Sequence, residues 1–129
     1  MYDVWREREA FAPNISVGAP PDVFFTGGQN WGFPPLHPNR LREQGYRYYI
    51  GAIRHQLQFA SILRIDHVMG FHRLFWIPHG LEARQGVYVC YPAEEFYAIL
   101  TLESHRHRAV IVGEDLGTVP PAIRRSMTR

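Results

Sequence analysis

The chain has 129 residues, a length typical of a single domain. Its net charge is only +2, with 14 basic residues against 12 acidic ones, so we do not expect it to bind nucleic acid. Cys90 is the only cysteine, which excludes an internal disulfide framework or a cysteine zinc site. No apolar run approaches the roughly 18 residues of a membrane-spanning helix, and the charged N-terminus is unlike a signal peptide. We therefore expect a cytoplasmic protein.

The first part of the chain carries few signals of regular structure. Residues 1–10 could begin a short helix, and the dense Pro and Gly residues of 11–38 predict a long segment without helices or strands. Disorder is disfavoured because this segment also contains large apolar side chains, which are Val23, Phe24, Phe25, Trp31 and Phe33. We therefore interpret residues 1–38 as an irregular, ordered active-site loop region.

The remaining residues, 39–129, predict a core of helices alternating with strands. Asn39 is a suitable N-cap for one helical turn over 41–44, which Gly45 ends. Apolar residues at spacings of three and four then predict a helix over 46–60.

Further elements follow in the second half of the chain. Residues 70–77 predict a short helix or turn, and residues 87–91 a short extended piece. A helix is predicted over 92–108, since Pro92 suits a helix start and basic residues suit its end. Its buried face and margin are formed by Phe96, Ile99, Leu100 and Glu103. A last helix is expected to start at residues 120–121.

Two short apolar runs end in carboxylates. Residues 62–66 end in Asp66, and residues 109–113 are followed by Glu114 and Asp115. Both runs are too short for helices and predict buried strands, which the intervening helix makes parallel. Parallel strands expose their carboxyl ends at one edge, where α/β enzymes keep their chemistry. Because a parallel pair also needs neighbouring strands and cover on both faces, we expect this chain to be the middle of a larger β/α protein.

This arrangement suggests a two-carboxylate site. Neighbouring strands lie about 4.8 Å apart, so Asp66 and Glu114 could approach the roughly 5–5.5 Å separation that retaining glycosidases use. Arg64 lies on the same strand face as Asp66 and would keep it ionised, as a nucleophile requires. Glu114 has less charge compensation and could stay protonated as the acid. Spacing alone equally allows a structural Arg64–Asp66 ion pair, with Glu114 and Asp115 capping a helix.

Other chemistry is less favoured by the sequence. A metal site of Asp66, His67, His72 and Glu114 is conceivable in a metal-dependent barrel hydrolase. However, adjacent strand residues point to opposite faces, and the spacing of the two histidines does not place them on one helix face. Trp31 either anchors the long loop or stacks on a sugar.

Two sequence blocks follow the pattern of a known family. Residues 64–71 read RIDHVMGF and are followed by FWIP at 75–78. This block resembles the nucleophile region of the 4-α-glucanotransferases of glycoside hydrolase family 77. Residues 113–117, which read GEDLG, with PP at 120–121, resemble the acid/base region of the same family.

The long loop carries a third block. It reads GAPPDVF over residues 18–24 and GQNWGFP over residues 28–34, and it resembles the loop that precedes the family's nucleophile strand. DVW at residues 3–5 and Phe11 match the stretch before that loop. The blocks occur in the family's order with compatible spacing and cover essentially the whole chain.

The resemblance implies a portion of a (β/α)8 TIM-type barrel, about strands four and five of eight. It implies retaining transfer of α-1,4-glucan segments between maltooligosaccharide chains, without a metal or organic cofactor. Asp66 would be the nucleophile, Glu114 the acid/base, and Arg64 would position Asp66. The implied substrate-binding residues are Asn30, Trp31, Gly32, His67 and Asp115.

We predict that the 129-residue chain alone is inactive, because the family's third carboxylate and most barrel strands would belong to a longer parent chain. Contacts of that carboxylate to sugar hydroxyls contribute several kcal/mol in the transition state of such enzymes. A maltotriose disproportionation assay of the purified chain tests this, and measurable turnover would contradict it. Binding of maltooligosaccharides without turnover would favour the alternative of a non-catalytic carbohydrate-binding fragment.

Overall fold

The computed structural model describes residues 2–116, 119 and 121–127. The helices are α1 (Tyr2–Arg6), α2 (Pro38–Glu43), α3 (Arg47–Leu57), α4 (Ala93–His107) and α5 (Pro121–Met127). The strands are β1 (Ile15–Ala19), β2 (Gln29–Asn30), β3 (Ile62–Ile65), β4 (Arg73–Pro78), β5 (Val87–Cys90) and β6 (Val110–Gly113). Short 3-10 helices cover Arg8–Ala10, Val68–Phe71 and Ala83–Gln85. None of the described helices is both long and apolar enough to cross a membrane.

The chain divides into two compact units. The first comprises Met1–Tyr46 and Arg73–Cys90, and the second comprises Arg47–His72 and Tyr91–Arg129.

The first unit contains an antiparallel sheet in the order β2-β1-β4-β5. The prediction that residues 11–38 lack strands is wrong, because β1 and β2 both lie within them. β1 pairs with β4 in the register Ser16↔Ile77. The breakers Pro13 and Pro20 flank β1 and leave its ladder intact, and the strand contains the β-branched residues Ile15 and Val17.

The segment that forms β4 was also predicted wrongly, as a helix or turn. Phe75 and Ile77 are buried while their neighbours Leu74 and Trp76 are only partly so, which is the two-residue period of a strand. Pro78 occupies the last position of β4, where its missing N–H interrupts no further pairing. The extended piece predicted over 87–91 is confirmed as β5.

Helix α2 begins one turn earlier than predicted. Its N-cap is His37 instead of Asn39, because the His37 ring nitrogen accepts the Arg40 N–H at 3.5 Å and Pro38 takes the first helical position. The predicted end at Gly45 is confirmed, and both Gly45 and Tyr46 have left-handed backbone angles, with φ of 58°.

The second unit confirms the predicted alternation of helices with parallel strands. β3 and β6 are parallel in the register Ile62↔Val110 to Ile65↔Gly113. Helix α3 is shorter than the predicted 46–60, but its buried residues Tyr49, Ile53 and Leu57 recur at the predicted spacing of four. Phe96, Leu100 and Glu103 are buried on α4 as predicted, whereas Ile99 is half-buried. The last helix is described from Pro121, and residues 117 and 120 lie outside the described part of the chain.

The predicted full burial of the two parallel strands is wrong for the described structure. Ile62, Val110 and Val112 are 66%, 57% and 46% exposed. They share one face, since Ile62 lies opposite Val110 and Arg64 opposite Val112. Helices α3 and α4 contact the strand pair, but no described element of this unit covers that face.

A buried carboxylate connects helices α3 and α4. Glu103 is 1% exposed, and its two oxygens accept hydrogen bonds from Arg54 Nε and Nη2, both at 2.9 Å. Arg106 adds a further bond of 2.8 Å. The hydrogen bonds from Arg54, supported by Arg106, lower the pKa of Glu103 although burial acts in the opposite direction. The cluster is therefore built around an ionised carboxylate.

We predict that Glu103→Gln lowers the free energy of unfolding by about 1–3 kcal/mol at pH 7. Because the pKa of Glu103 is lowered in the folded state, its contribution is present above the unfolded-state pKa and is lost as the pH falls through the folded-state value. The difference between wild type and variant should therefore shrink below about pH 4. Urea unfolding of both proteins between pH 7 and acid pH measures this difference in unfolding free energy. Glu43→Gln, which changes an exposed carboxylate, is the matched control. A cost that does not change with pH would contradict this account.

Candidate active site

The strand register places the two predicted reacting carboxylates at equivalent positions. Ile65 lies opposite Gly113, so Asp66 and Glu114 each follow directly at the carboxyl ends of β3 and β6. The Glu114 N–H donates to the Ile65 carbonyl at 2.8 Å, which extends the pairing past the last strand residue. The sequence prediction that these side chains share one edge of a parallel pair is met by this geometry.

Asp66 is held by a side-chain ion pair. Arg64 Nη1 lies 2.7 Å from Asp66 Oδ1, as expected for two residues on the same strand face. Both side chains are open to solvent, 59% exposed for Arg64 and 75% for Asp66. Water therefore screens the attraction, and the pair orients the carboxylate more than it stabilises the fold.

Glu114 is held differently, by main-chain groups. The His67 N–H donates to Oε2 at 2.9 Å, and the Leu116 N–H donates to Oε1 at 2.5 Å. The sequence compared the charged partners of the two carboxylates and predicted fewer for Glu114, and main-chain donors lie outside that prediction. The two N–H donors orient the carboxylate. No sequence signal could reveal them, because every residue except proline carries a backbone N–H.

His67 is connected to both carboxylates, because it directly follows Asp66 in the chain and donates its N–H to Glu114. Its backbone is left-handed, with φ 50° and ψ 53°. Burial lowers the pKa of the His67 imidazole, against the opposing effect of the Glu114 and Asp66 charges. The ring is therefore neutral near pH 7 and can either donate or accept a hydrogen bond.

The other predicted residue of this unit, Asp115, already has a side-chain partner. Arg124 Nε of helix α5 donates to its Oδ2 at 2.6 Å. The Asp115 side chain is 42% exposed, so the pair remains open on one side. Asp115 thus contributes to docking α5 beside the strand ends, whatever else it binds.

The described residues provide no support for the alternative metal site. No group of three or more His, Cys, Asp or Glu side chains among them could hold a metal ion. His72 packs its ring edge-on against Tyr97, with the centroids 5.6 Å apart, and burial lowers its pKa.

The three predicted loop residues, Asn30, Trp31 and Gly32, form an ordered turn in the first unit. The Ser16 hydroxyl donates to Asn30 Oδ1 at 2.6 Å, and the Gly32 N–H donates to the same atom at 3.0 Å. Gly32 has φ of 75°, a left-handed angle that favours glycine. The Trp31 ring stacks on Phe33, with the ring centroids 6.3 Å apart. The structural role of Ser16 was missed, because nothing local distinguishes it from other strand serines.

We predict that Glu114→Gln lowers the free energy of unfolding of this chain by about 1–2 kcal/mol. An amide offers one acceptor oxygen and turns an NH2 group toward the second main-chain donor. Asp66→Asn is the matched control, since its exposed ion pair should contribute less than about 0.5 kcal/mol. Chemical denaturation followed by circular dichroism measures both variants. Equal costs would contradict the main-chain clamp on Glu114.

Comparisons with known proteins agree with this geometry. The family model described as 4-alpha-glucanotransferase, glycoside hydrolase family 77, matches residues 1–129. A 4-alpha-glucanotransferase of Haemophilus influenzae is 48% identical over 122 residues, which cover 95% of this chain and 18% of that protein. A 4-alpha-glucanotransferase of Mycobacterium tuberculosis is 47% identical over 95% of this chain and 17% of its own length.

Solved structures show the same similarity. The amylomaltase from Corynebacterium glutamicum matches with a TM-score of 0.94 and 38% identity, over 98% of this chain and 18% of that one. Amylomaltase from Streptococcus agalactiae in complex with acarbose matches with a TM-score of 0.85 and 26% identity, over 98% of this chain and 26% of that one. The chain thus spans about a fifth of the length of the relatives it matches.

Proposed function

Because this chain belongs to the 4-α-glucanotransferases of glycoside hydrolase family 77, we propose that it is the part of such an enzyme that carries the nucleophile and the acid/base. The observation that carries the proposal is the strand register, which sets Asp66 and Glu114 at equivalent ends of a parallel pair. Nearly half of the aligned residues are identical to those of a curated 4-alpha-glucanotransferase. The substrates are α-1,4-glucans and maltooligosaccharides, a class to which the acarbose complex of a structural relative lends support.

The first chemical step breaks the donor's glycosidic bond. An Asp66 oxygen attacks the anomeric carbon, while the Glu114 carboxyl group gives its proton to the leaving glycosidic oxygen. The leaving chain departs with a free hydroxyl, and the donor segment remains as a glycosyl ester of Asp66. Arg64 supports this step by orienting the attacking carboxylate from 2.7 Å.

The second step transfers the segment. Glu114, now ionised, takes the proton of an acceptor glucan's hydroxyl, whose oxygen attacks the anomeric carbon from the face opposite Asp66. The ester bond breaks and Asp66 leaves as the carboxylate. Two inversions give net retention, and the new glycosidic bond replaces the one broken, so no cofactor is needed.

The remaining predicted residues are proposed to hold the glucan. His67 directly follows Asp66 in the chain and donates its N–H to Glu114, and its neutral imidazole can bond a sugar hydroxyl. Asp115 can do the same from its open side. Asn30, Trp31 and Gly32 are proposed to contact the acceptor, with the Trp31 ring as a stacking surface. The exposed free thiol of Cys90 fits a reducing, cytoplasmic setting.

We predict that azide rescue distinguishes the two carboxylates by stereochemistry. The experiment uses a chimera in which this chain replaces the matched segment of the Corynebacterium glutamicum amylomaltase. Asp66→Gly and Glu114→Ala should each lower kcat for glucan transfer by about a hundredfold or more. With a maltosyl fluoride donor, azide should give an inverted glycosyl azide from the Asp66 variant and a retained one from the Glu114 variant.

The control is Glu43→Gln, which changes an exposed carboxylate on α2 and should transfer glucan like the parent chimera. A retained glycosyl azide from the Asp66 variant and an inverted one from the Glu114 variant would reverse the roles of nucleophile and acid/base. An inactive parent chimera that is folded, or full activity in either variant, would contradict the proposed function.

A further inference from the structure

The parallel ladder between β3 and β6 is regular up to its last residues. The Val110 N–H donates to the Ser61 carbonyl at 2.9 Å, and the Glu114 N–H donates to Ile65 at 2.8 Å. In a parallel ladder, a bonded residue donates its N–H to the carbonyl of the residue before its partner. Its own carbonyl accepts the N–H of the residue after its partner. The partner of Glu114 is Asp66, so the Glu114 carbonyl should accept the N–H of His67.

The observed bonds depart from this rule by one residue. The Glu114 carbonyl accepts the N–H of Val68 at 3.0 Å, so this bond falls one residue later than the rule requires, at the first residue of the 3-10 helix Val68–Phe71. The His67 N–H, released from the ladder, donates to Glu114 Oε2 at 2.9 Å. The left-handed backbone of His67, with φ 50°, is the local conformation that accommodates the additional residue.

We infer that His67 is a positioning residue that acts through its main chain: the one-residue slip at His67 presents its N–H to the carboxylate of Glu114. This rests on the proposed function for what Glu114 then does. With the Leu116 N–H on the other oxygen, two main-chain donors orient the carboxyl group. A carboxylate has about four lone-pair sites, so two remain for the proton and the substrate.

The residue type at position 67 follows from this role as well. Histidine tolerates left-handed backbone angles better than most residues, whereas β-branched side chains almost never adopt them. The need for a left-handed backbone at position 67 is separate from any contact of the imidazole, because it concerns the backbone angle alone. It also couples the two reacting groups, since His67 directly follows Asp66 and holds Glu114.

Two substitutions in the amylomaltase chimera separate the backbone from the side chain. His67→Gly and His67→Val both remove the imidazole, but only glycine adopts the left-handed angle without strain. We expect kcat/KM of the Val variant to fall about tenfold or more below that of the Gly variant, because a hydrogen bond to a charged group is lost. Because both variants lack the imidazole, the difference between them should lie in kcat and leave KM similar.

Equal kcat/KM values in the two variants, or a difference confined to KM, would overturn the inference. If thermal melts show that the Val variant does not fold, His67→Ala replaces it. Its kcat/KM should also lie below that of the Gly variant, and equal values would again overturn the inference. A readout independent of turnover uses 15N-histidine labelling, in which the His67 amide proton resonance should move in Glu114→Gln, because the carboxylate acceptor is replaced by an amide. An inactive parent chimera in which that resonance moves refutes the proposed function alone, and a His67 amide resonance that does not move refutes the slip.

Discussion

The parallel pairing of β3 with β6 is the interaction on which the rest of the candidate site depends. Its register, with Ile65 opposite Gly113, decides which residues follow at the strand ends. Since successive side chains alternate between faces, a shift of β6 by one residue would bring Asp115 opposite Asp66 and turn Glu114 away. The helices that contact these strands are themselves tied together, because the buried Glu103 carboxylate joins α3 to α4. Site geometry is therefore a consequence of backbone pairing, supported by a helix–helix ion pair.

The two carboxylates are held by different physical means. Asp66 has a flexible guanidinium on an exposed surface, so its partner is screened by water and can adjust to a bound sugar. Glu114 is held by two main-chain donors, the N–H groups of His67 and Leu116. This difference suits the proposed roles. The group that forms and breaks a covalent bond keeps freedom to move, while the group that exchanges protons keeps a constant orientation.

Sequence reasoning succeeded where the signals were local and failed where they were not. The periodicity of 46–60 and the acid-ended runs were sufficient for α3, β3 and β6. The pairing of β1 with β4 joins residues far apart in the chain, and the prolines around β1 were read as breaking a strand that they only bound. The slip at His67 lay beyond sequence reasoning, because it concerns main-chain donors that every residue type except proline possesses.

The exposed face of the strand pair links folding to chemistry. Ile62, Val110 and Val112 form an apolar surface, and along the same face the strands end in the two carboxylates. A parallel pair requires cover on such a face, and covering it would also exclude water from below Asp66 and Glu114. Charge interactions strengthen as water leaves, so the solvent-screened Arg64–Asp66 pair would then act in a lower dielectric. Cover on this face and an environment that would activate the proposed nucleophile are thus one requirement.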